Sequence, residues 1–404
     1  MVIVLKKRGK NSKMKMVISS KNTNKYAKEE RKMIIMDLKI DNFLAFKNFH
    51  MNMSYPKKIV NSYIEDEYLS ERPNFRYKKV NILMGANATG KTSFGQMLMS
   101  VFNFMERKEI SLLLKNICDT NKKAFFSMDF VLNELILNSI QIVIQPSFEG
   151  RYTDKNIMLK VEQVNINKND SYESCKQRLN TKMEKAEYKT DYVNELEKLS
   201  NLYWLFVYPE RKDKFKFPKG DFKTVYLKVL EKTLKALDPS IIGVEEMDTV
   251  EDSYIIRMRS KSVIVQEGSI VNESILSSGT KAGLEIARIV GSILTNRNQF
   301  YYCDEKFSYV HSDIEKAFLS IMIDKLGENE QLFFTTHNMD ILDLTLPKHS
   351  FIFMKKDIYN EKMPIKCISA DEILKRNTDS LKSAVENDLF RTAPSVDCVY
   401  DIIS

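Results

Sequence analysis

The segment that most constrains this chain is Lys79–Met84 (KVNILM) running into Gly85-Ala-Asn-Ala-Thr-Gly-Lys-Thr92. Its third part is a helical pattern, with Phe94, Met97, Leu98, Val101 and Phe102 at i, i+3, i+4 spacing. Strand, G-x-x-x-x-G-K-[ST] loop and helix in that order form a phosphate-binding turn. Consecutive backbone N–H groups at a helix N-terminus converge on one concavity and favour polyphosphate. Glycine is scarce, at 12 of 404 residues, so a chance match is improbable. The pattern assigns Gly85, Asn87, Gly90, Lys91, Thr92 and Ser93 as nucleotide contacts. Lys91 is expected to reach the β- and γ-phosphates, and Thr92 to ligate Mg²⁺.

Further along, Phe300-Tyr-Tyr-Cys-Asp304-Glu305 reads as an apolar strand ending in two carboxylates. By itself this also describes a strand capped by solvated acids. Beside a phosphate loop it is where Mg²⁺ and a water-activating base belong, with Asp304 on the metal through water and Glu305 on the attacking water. About thirty residues later Leu332-Phe-Phe-Thr-Thr-His337 repeats the layout, and His337, one of only four histidines, is placed to contact the γ-phosphate. Between the loop and this strand, Leu276-Ser277-Ser278-Gly279-Thr280 precedes an apolar helix. Ser277, Ser278 and Gly279 form either an ordinary N-cap or a second anion-binding helix start.

The rest of the chain sets the frame. Strand-like runs recur at Ala124–Leu132, Ile140–Gln145 and Ile157–Val164, and Met33–Phe46 alternates apolar and polar residues as a half-buried strand does. Residues 170–200 read as one charged helix, a short lid or arm, because two lysines interrupt its heptad seam. Asp221–Leu237 reads as an amphipathic helix. After Gly279, helices alternate with strands at Gln299–Cys303, Gln331–Thr335 and Ser350–Met354, which implies a parallel, helix-covered sheet.

The expected fold is therefore α/β. The expected division is a basic arm 1–32, a first lobe 33–168, a helical insertion or lid 169–240, a second lobe 241–355 and a tail 356–404.

Net charge is +8, from 62 Lys/Arg and 54 Asp/Glu. Residues 1–32 carry eleven Lys/Arg against Glu29 and Glu30, so the body is near neutral. A basic balance confined to one arm does not by itself imply nucleic-acid binding. Residues 211–223 (RKDKFKFPKGDFK) form a second, basic and aromatic, segment. Five scattered cysteines exclude a disulfide framework and, with no long apolar run, fit a cytoplasmic protein off the membrane.

Four motifs in this order, GANATGKT, LSSGT, an apolar-DE strand and TTH, resemble the ABC-type ATPase heads of the SMC, Rad50, RecF and OLD group. Asn42-Phe43 on the opening strand is also similar to that group. The likeness is strongest to compact bacterial AAA-family (ABC-like) ATPases of anti-phage systems, such as the ATPase component of PARIS. It implies ATP and Mg²⁺ as cofactors and a homodimer or higher homo-oligomer that sandwiches ATP. In that sandwich Ser278 and Gly279 bind the γ-phosphate held by the other subunit.

Departures from the transporter branch are Ser278 in place of glycine, Thr280 in place of glutamine, and Lys306 in place of the proline after the acidic pair. Gln141 and Gln145 are the weak candidates for a Q-loop glutamine. The 67 residues after His337 are too few for the TOPRIM nuclease domain of OLD proteins, so an effector nuclease is expected in trans. The resemblance implies an ATPase that senses and scaffolds in defence. The alternatives are a DNA-binding repair ATPase similar to RecF and a nucleotide-gated assembly protein with negligible turnover.

Overall fold

The computed structural model describes residues 33–59, 62–132, 135–147, 150–199, 202–208, 221–247, 250, 253–266, 269–271, 275–376, 379–393 and 402. The basic arm and residues 211–220 of the basic aromatic segment lie outside the described residues.

Three sheets carry the architecture. The first is antiparallel, in the order Phe49–Asn52, Met33–Asp41, Ala124–Leu132, Ile136–Ile144, Ile157–Asn165. The second has six strands, in the order Ile365–Ser369, Phe351–Lys356, Val80–Met84, Gln331–Thr335, Phe300–Asp304, Trp204–Val207. All its neighbours run parallel except Ile365–Ser369. Val80–Met84, Phe300–Asp304 and Gln331–Thr335 are buried at every position. Continuous apolar runs are what a strand covered on both faces requires. The α/β class with a parallel, helix-covered core is thus present.

Parallel pairing brings the C-terminal ends of Val80–Met84, Gln331–Thr335 and Phe300–Asp304 to one edge of the sheet. There the chain turns into the phosphate loop, into Thr336-His337 and into Glu305 respectively. Ligands bind at this edge in open parallel sheets. The helix Lys91–Arg107 covers one face of the sheet through Phe94, Leu98 and Phe102, packed in one core with Phe206, Phe300, Tyr302 and Phe333. The helix Ser278–Leu294 covers the other face, with Ile286, Ile289 and Ile293 against Tyr301, Cys303 and Phe334.

Two expectations need correction. The opening strand is not half-buried: Ile34 and Met36 pack against Tyr172, Cys175 and Leu179, while Ile35, Leu38 and Ile40 join the central core. The cover for its second face is the helix Tyr172–Lys185. Residues 170–200 are not one helix but two, Tyr172–Lys185 and Tyr192–Leu196. The helix breaks because the intervening chain adds to a sheet edge, where Lys189 and Leu159 exchange backbone hydrogen bonds of 2.9 and 3.0 Å.

Two features were not read from the sequence. Trp204–Val207, inside the stretch expected as a helical insertion, is the edge strand of the parallel sheet beside Phe300–Asp304. Ile241–Glu246, Tyr254–Met258, Ser262–Gln266 and Ser269–Ile270 form a third, antiparallel sheet whose inner face (Tyr254, Ile256, Val263, Val265) packs on Tyr226, Leu230 and Leu234 of the helix Asp221–Leu237.

Candidate nucleotide site

The phosphate loop folds as its residues demand. A Cβ at Gly85 would collide with the carbonyl oxygen of Met354 on the neighbouring strand, so only glycine lets the loop leave the sheet there. The helix that follows has no side-chain N-cap at Gly90 and no acidic residue in its first turn. Its leading N–H groups are therefore available to an anion. Asn87 is exposed on the loop, and Thr92 and Ser93 are half-buried in the first turn.

Lys91 is almost fully buried. Its Nζ donates to the carbonyls of Gly85 (2.9 Å) and Ala86 (3.1 Å) and lies 3.4 Å from Glu305 Oε1. The same carboxylate oxygen lies 2.8 Å from Nε2 of His337. Residues from three separate stretches of chain, Lys91, Glu305 and His337, thus meet at one carboxylate. Glu305 sits in the left-handed region with φ of 42°, a costly backbone for a non-glycine residue. Its N–H donates to the Thr335 hydroxyl at 2.9 Å, which pins that turn.

Asp304 is buried beneath this cluster. Oδ1 accepts from Thr335 Oγ1 at 2.7 Å, and Oδ2 is buried without a hydrogen-bond partner. The Thr92 hydroxyl is close enough to draw the Asp304 carboxyl down. Burial nevertheless dominates and raises Asp304 above the ordinary aspartate value. Glu305 moves the opposite way, held below its ordinary value by the hydrogen bond from His337 first; burial, next in size, opposes the shift, and the charge of Lys91 adds to it. Burial lowers Lys91, and Glu305 partly offsets it. Adjacent carboxyls driven apart in this way are a recurring mark of divided roles at a site.

Two supporting residues were given no role by the sequence, Thr335 within the TTH motif and Glu315 outside any motif. Thr335 bridges Asp304 and Glu305. Glu315, on the helix Ser312–Lys325, accepts from Thr336 Oγ1 (2.7 Å) and Asn338 Nδ2 (2.8 Å), clamping the chain on both sides of His337. The TT of the TTH motif was visible in the sequence, but its hydroxyl partners were not.

Ser277 is an N-cap: its Oγ accepts from the N–H of Thr280 and lies 2.7 Å from Thr280 Oγ1. Ser278 is exposed, and a Cβ on Gly279 would come within 2.9 Å of the Tyr309 carbonyl, in the loop that follows Glu305. Among the hydrogen bonds and ion pairs described, none joins Ser277, Ser278 or Gly279 to the Lys91 cluster. Gln141 and Gln145 lie away from the cluster. Gln141 is on the antiparallel strand Ile136–Ile144 and accepts from Tyr188, and Gln145 pairs with Asn156 just beyond that strand.

The residues fit a hydrated Mg²⁺. Mg²⁺ keeps several waters and takes one or two protein oxygens plus substrate phosphates. Thr92 offers one such oxygen directly, and Asp304, with its orphaned Oδ2, offers an acceptor for a water in the shell. Among the described residues no group of three or more His, Cys, Asp or Glu is arranged to hold a metal unaided.

No family model and no curated protein matches the chain. Among solved structures it is similar to an SMC head bound to the C-winged helix domain of ScpA (TM-score 0.47, 13% identity, 85% of this chain and 100% of that one). It is also similar to the SMC head domain from Thermotoga maritima (0.38, 11%, 83% and 98%). A third is the recombination mediator RecF with ATPrS (0.41, 10%, 84% and 99%). Identities this low leave the chemistry to be read from this chain's own side chains. Among the described residues no helix is long and apolar enough to cross a membrane.

Proposed function

We propose that this chain is an ABC-type ATPase head that binds ATP with Mg²⁺ and hydrolyses it. The observation that carries the reading is the meeting of Lys91, Glu305 and His337 at one carboxylate oxygen, on the residue that follows the buried Asp304.

Lys91 and the free N–H groups of its helix hold the β- and γ-phosphates. Thr92 and Asp304 hold Mg²⁺, which when bound neutralises charge on the phosphate oxygens. Glu305, ionised beside His337 and Lys91, accepts a proton from the water whose oxygen attacks the γ-phosphorus; the bond from that phosphorus to the β–γ bridging oxygen breaks, ADP leaves, and the proton passes from Glu305 to the released phosphate. His337 holds Glu305 through Nε2 and turns that N–H to the γ-phosphate when nucleotide takes its place. Ser278 and Gly279 supply a second helix start to the nucleotide of another copy. The exposure of Ser278, and the lack of an acidic residue in the first turn of its helix, support that role.

Phosphate release by the wild type, Lys91→Ala and Glu305→Gln tests the assignment. Turnover should be lost in both variants; equal turnover in all three overturns it. Nucleotide binding without any wild-type turnover would instead favour a nucleotide-gated assembly protein.

For the cellular role we favour a sensor and scaffold that controls an effector nuclease in anti-phage defence, on the sequence resemblance. Its test is co-purification of a nuclease that is released or activated on phage challenge. The second reading, DNA binding in repair, is favoured by the basic aromatic segment 211–223 and the basic arm. Salt-dependent DNA affinity would support it, and no DNA affinity at moderate salt, with or without ATP, would remove it.

A further inference from the structure

Two buried oxygens without hydrogen-bond partners belong to residues at the same end of the parallel sheet. One is Asp304 Oδ2; the other is the hydroxyl of Tyr208. Tyr208 follows the edge strand Trp204–Val207, whose register against Phe300–Asp304 ends with Val207 opposite Cys303. One step further places Tyr208 opposite Asp304. The faces agree as well. Phe206 stacks on Tyr302 and Tyr208 stacks on Phe206, so the Tyr208 ring lies on the sheet face that carries Tyr302 and Asp304.

The backbone of Tyr208 is held in place. Lys306, which follows the acidic pair, is buried and donates from Nζ to the Tyr208 carbonyl at 3.1 Å. The lysine that departs from the proline of similar sequences thus ties the end of the edge strand to the acidic turn. A buried polar atom without a partner is costly, and two at neighbouring positions point to one polar species that serves both.

We infer that Tyr208 is a positioning residue for the hydrated divalent cation, its hydroxyl and Asp304 Oδ2 together accepting the two hydrogens of a water that the cation carries. The inference rests on the ATPase reading and deepens it. The phenol acts on the hydration shell and not on the phosphates, so its loss should weaken the cation's hold and leave bare nucleotide binding intact. Outer-shell groups of this kind typically change metal affinity about 10–100-fold.

The test compares the full-length wild type with Tyr208→Phe, which keeps the stacked ring and removes only the hydroxyl. Binding of a fluorescent non-hydrolysable ATP analogue is measured first in EDTA and then as a function of Mn²⁺, with thermal melting of both proteins alongside. The expected result is equal affinity in EDTA and about a tenfold higher half-saturating Mn²⁺ for the variant. Its melting temperature should be unchanged or raised. Superimposable Mn²⁺ titrations would overturn the inference. So would a parallel loss of affinity in EDTA or a lower melting temperature, either of which would assign the hydroxyl a purely structural role. If the wild type itself shows no Mn²⁺-dependent nucleotide binding, the ATPase reading falls and this inference falls with it.

Discussion

The Glu305 carboxylate accepts from His337 Nε2 at 2.8 Å while the same oxygen lies 3.4 Å from Lys91 Nζ. Glu305 thus pairs with the two groups that the proposed function assigns to the terminal phosphate, so on that assignment triphosphate competes with Glu305 for both.

Replacing Glu305 by Gln should separate binding from chemistry. The neutral amide no longer holds Lys91 by charge, so ATP affinity should stay equal or rise a few-fold. Loss of the proton acceptor should lower turnover about 10²–10⁴-fold. Equilibrium nucleotide binding and phosphate release on one preparation read the two effects. A variant that loses affinity and turnover in proportion would place Glu305 in phosphate binding and not in water activation.

The contiguous parts of this site were legible in the sequence: GANATGKT, the acidic pair and TTH each lie on one strand end. The pairings between them were not. Thr335 to Asp304, Glu315 to Thr336 and Tyr208 beside Asp304 join positions that only the strand order brings together, and no local spacing encodes that order. The third sheet escaped notice for a related reason. Its strands are short, and a β-bulge between Ile241 and Gly243 breaks their alternation. The double burial of the opening strand depends on a helix more than 130 residues away in sequence.

Gly95, like Gly85, stands where a Cβ has no room. A Cβ there would lie 2.5 Å from Cε1 of Tyr302, whose ring is fully buried, stacks on Phe206 and Phe333 and has no room to withdraw. Gly95→Ala gains up to about 1 kcal/mol of helix propensity. The overpacking penalty of about 1–3 kcal/mol acts against it and should win. The phosphate-loop helix must lift, and the hydrogen bond from Tyr302 to the Lys91 carbonyl, 2.7 Å, is lost. Urea unfolding should show a net destabilisation, and nucleotide affinity should fall with it. A variant more stable than wild type would show that the helix and strand pack more loosely than these distances state.

Gln331 ties the two large sheets together. Its Oε1 accepts from Ile35 N at 2.9 Å, and its Nε2 donates to the carbonyls of Ile35 and Lys78 at 3.1 and 3.0 Å. The register shift between Ile35 and Asp37 exposes the Ile35 backbone that Gln331 satisfies. Gln331→Leu keeps the volume but strands the N–H and C=O of Ile35 in the core. A cost of about 2–6 kcal/mol is expected, at about 1–3 kcal/mol for each of the two unsatisfied groups. Hydrogen exchange at Ile35 should accelerate more than exchange in the third sheet. A uniform change, or a loss under 1 kcal/mol by this reasoning, would mean that the sheets do not depend on this bridge.

Burial of the Asp304 carboxyl carries a stability cost that the proposed cation role accounts for. Its carboxyl is raised above the ordinary 3.8 because burial outweighs the Thr335 and Thr92 hydrogen bonds. A carboxyl with a raised folded pKa favours the protonated form in the native state. Below pH 3.8 both states hold the proton and nothing is lost. As pH rises from 3.8 through the folded value the unfolded chain releases its proton first, so stability falls across that window and stays low above it. Asp304→Asn keeps an acceptor for Thr335 and removes the charge. It should therefore stabilise the nucleotide-free protein by about 1–2 kcal/mol at pH 7 and by nothing below the window. Mg²⁺-dependent nucleotide binding should be lost in the same variant. Urea midpoints for both proteins from pH 3 to pH 8 read the prediction directly. Parallel curves would mean that Asp304 carries no desolvation penalty, and with it would go the case for a buried carboxylate held ready for a cation.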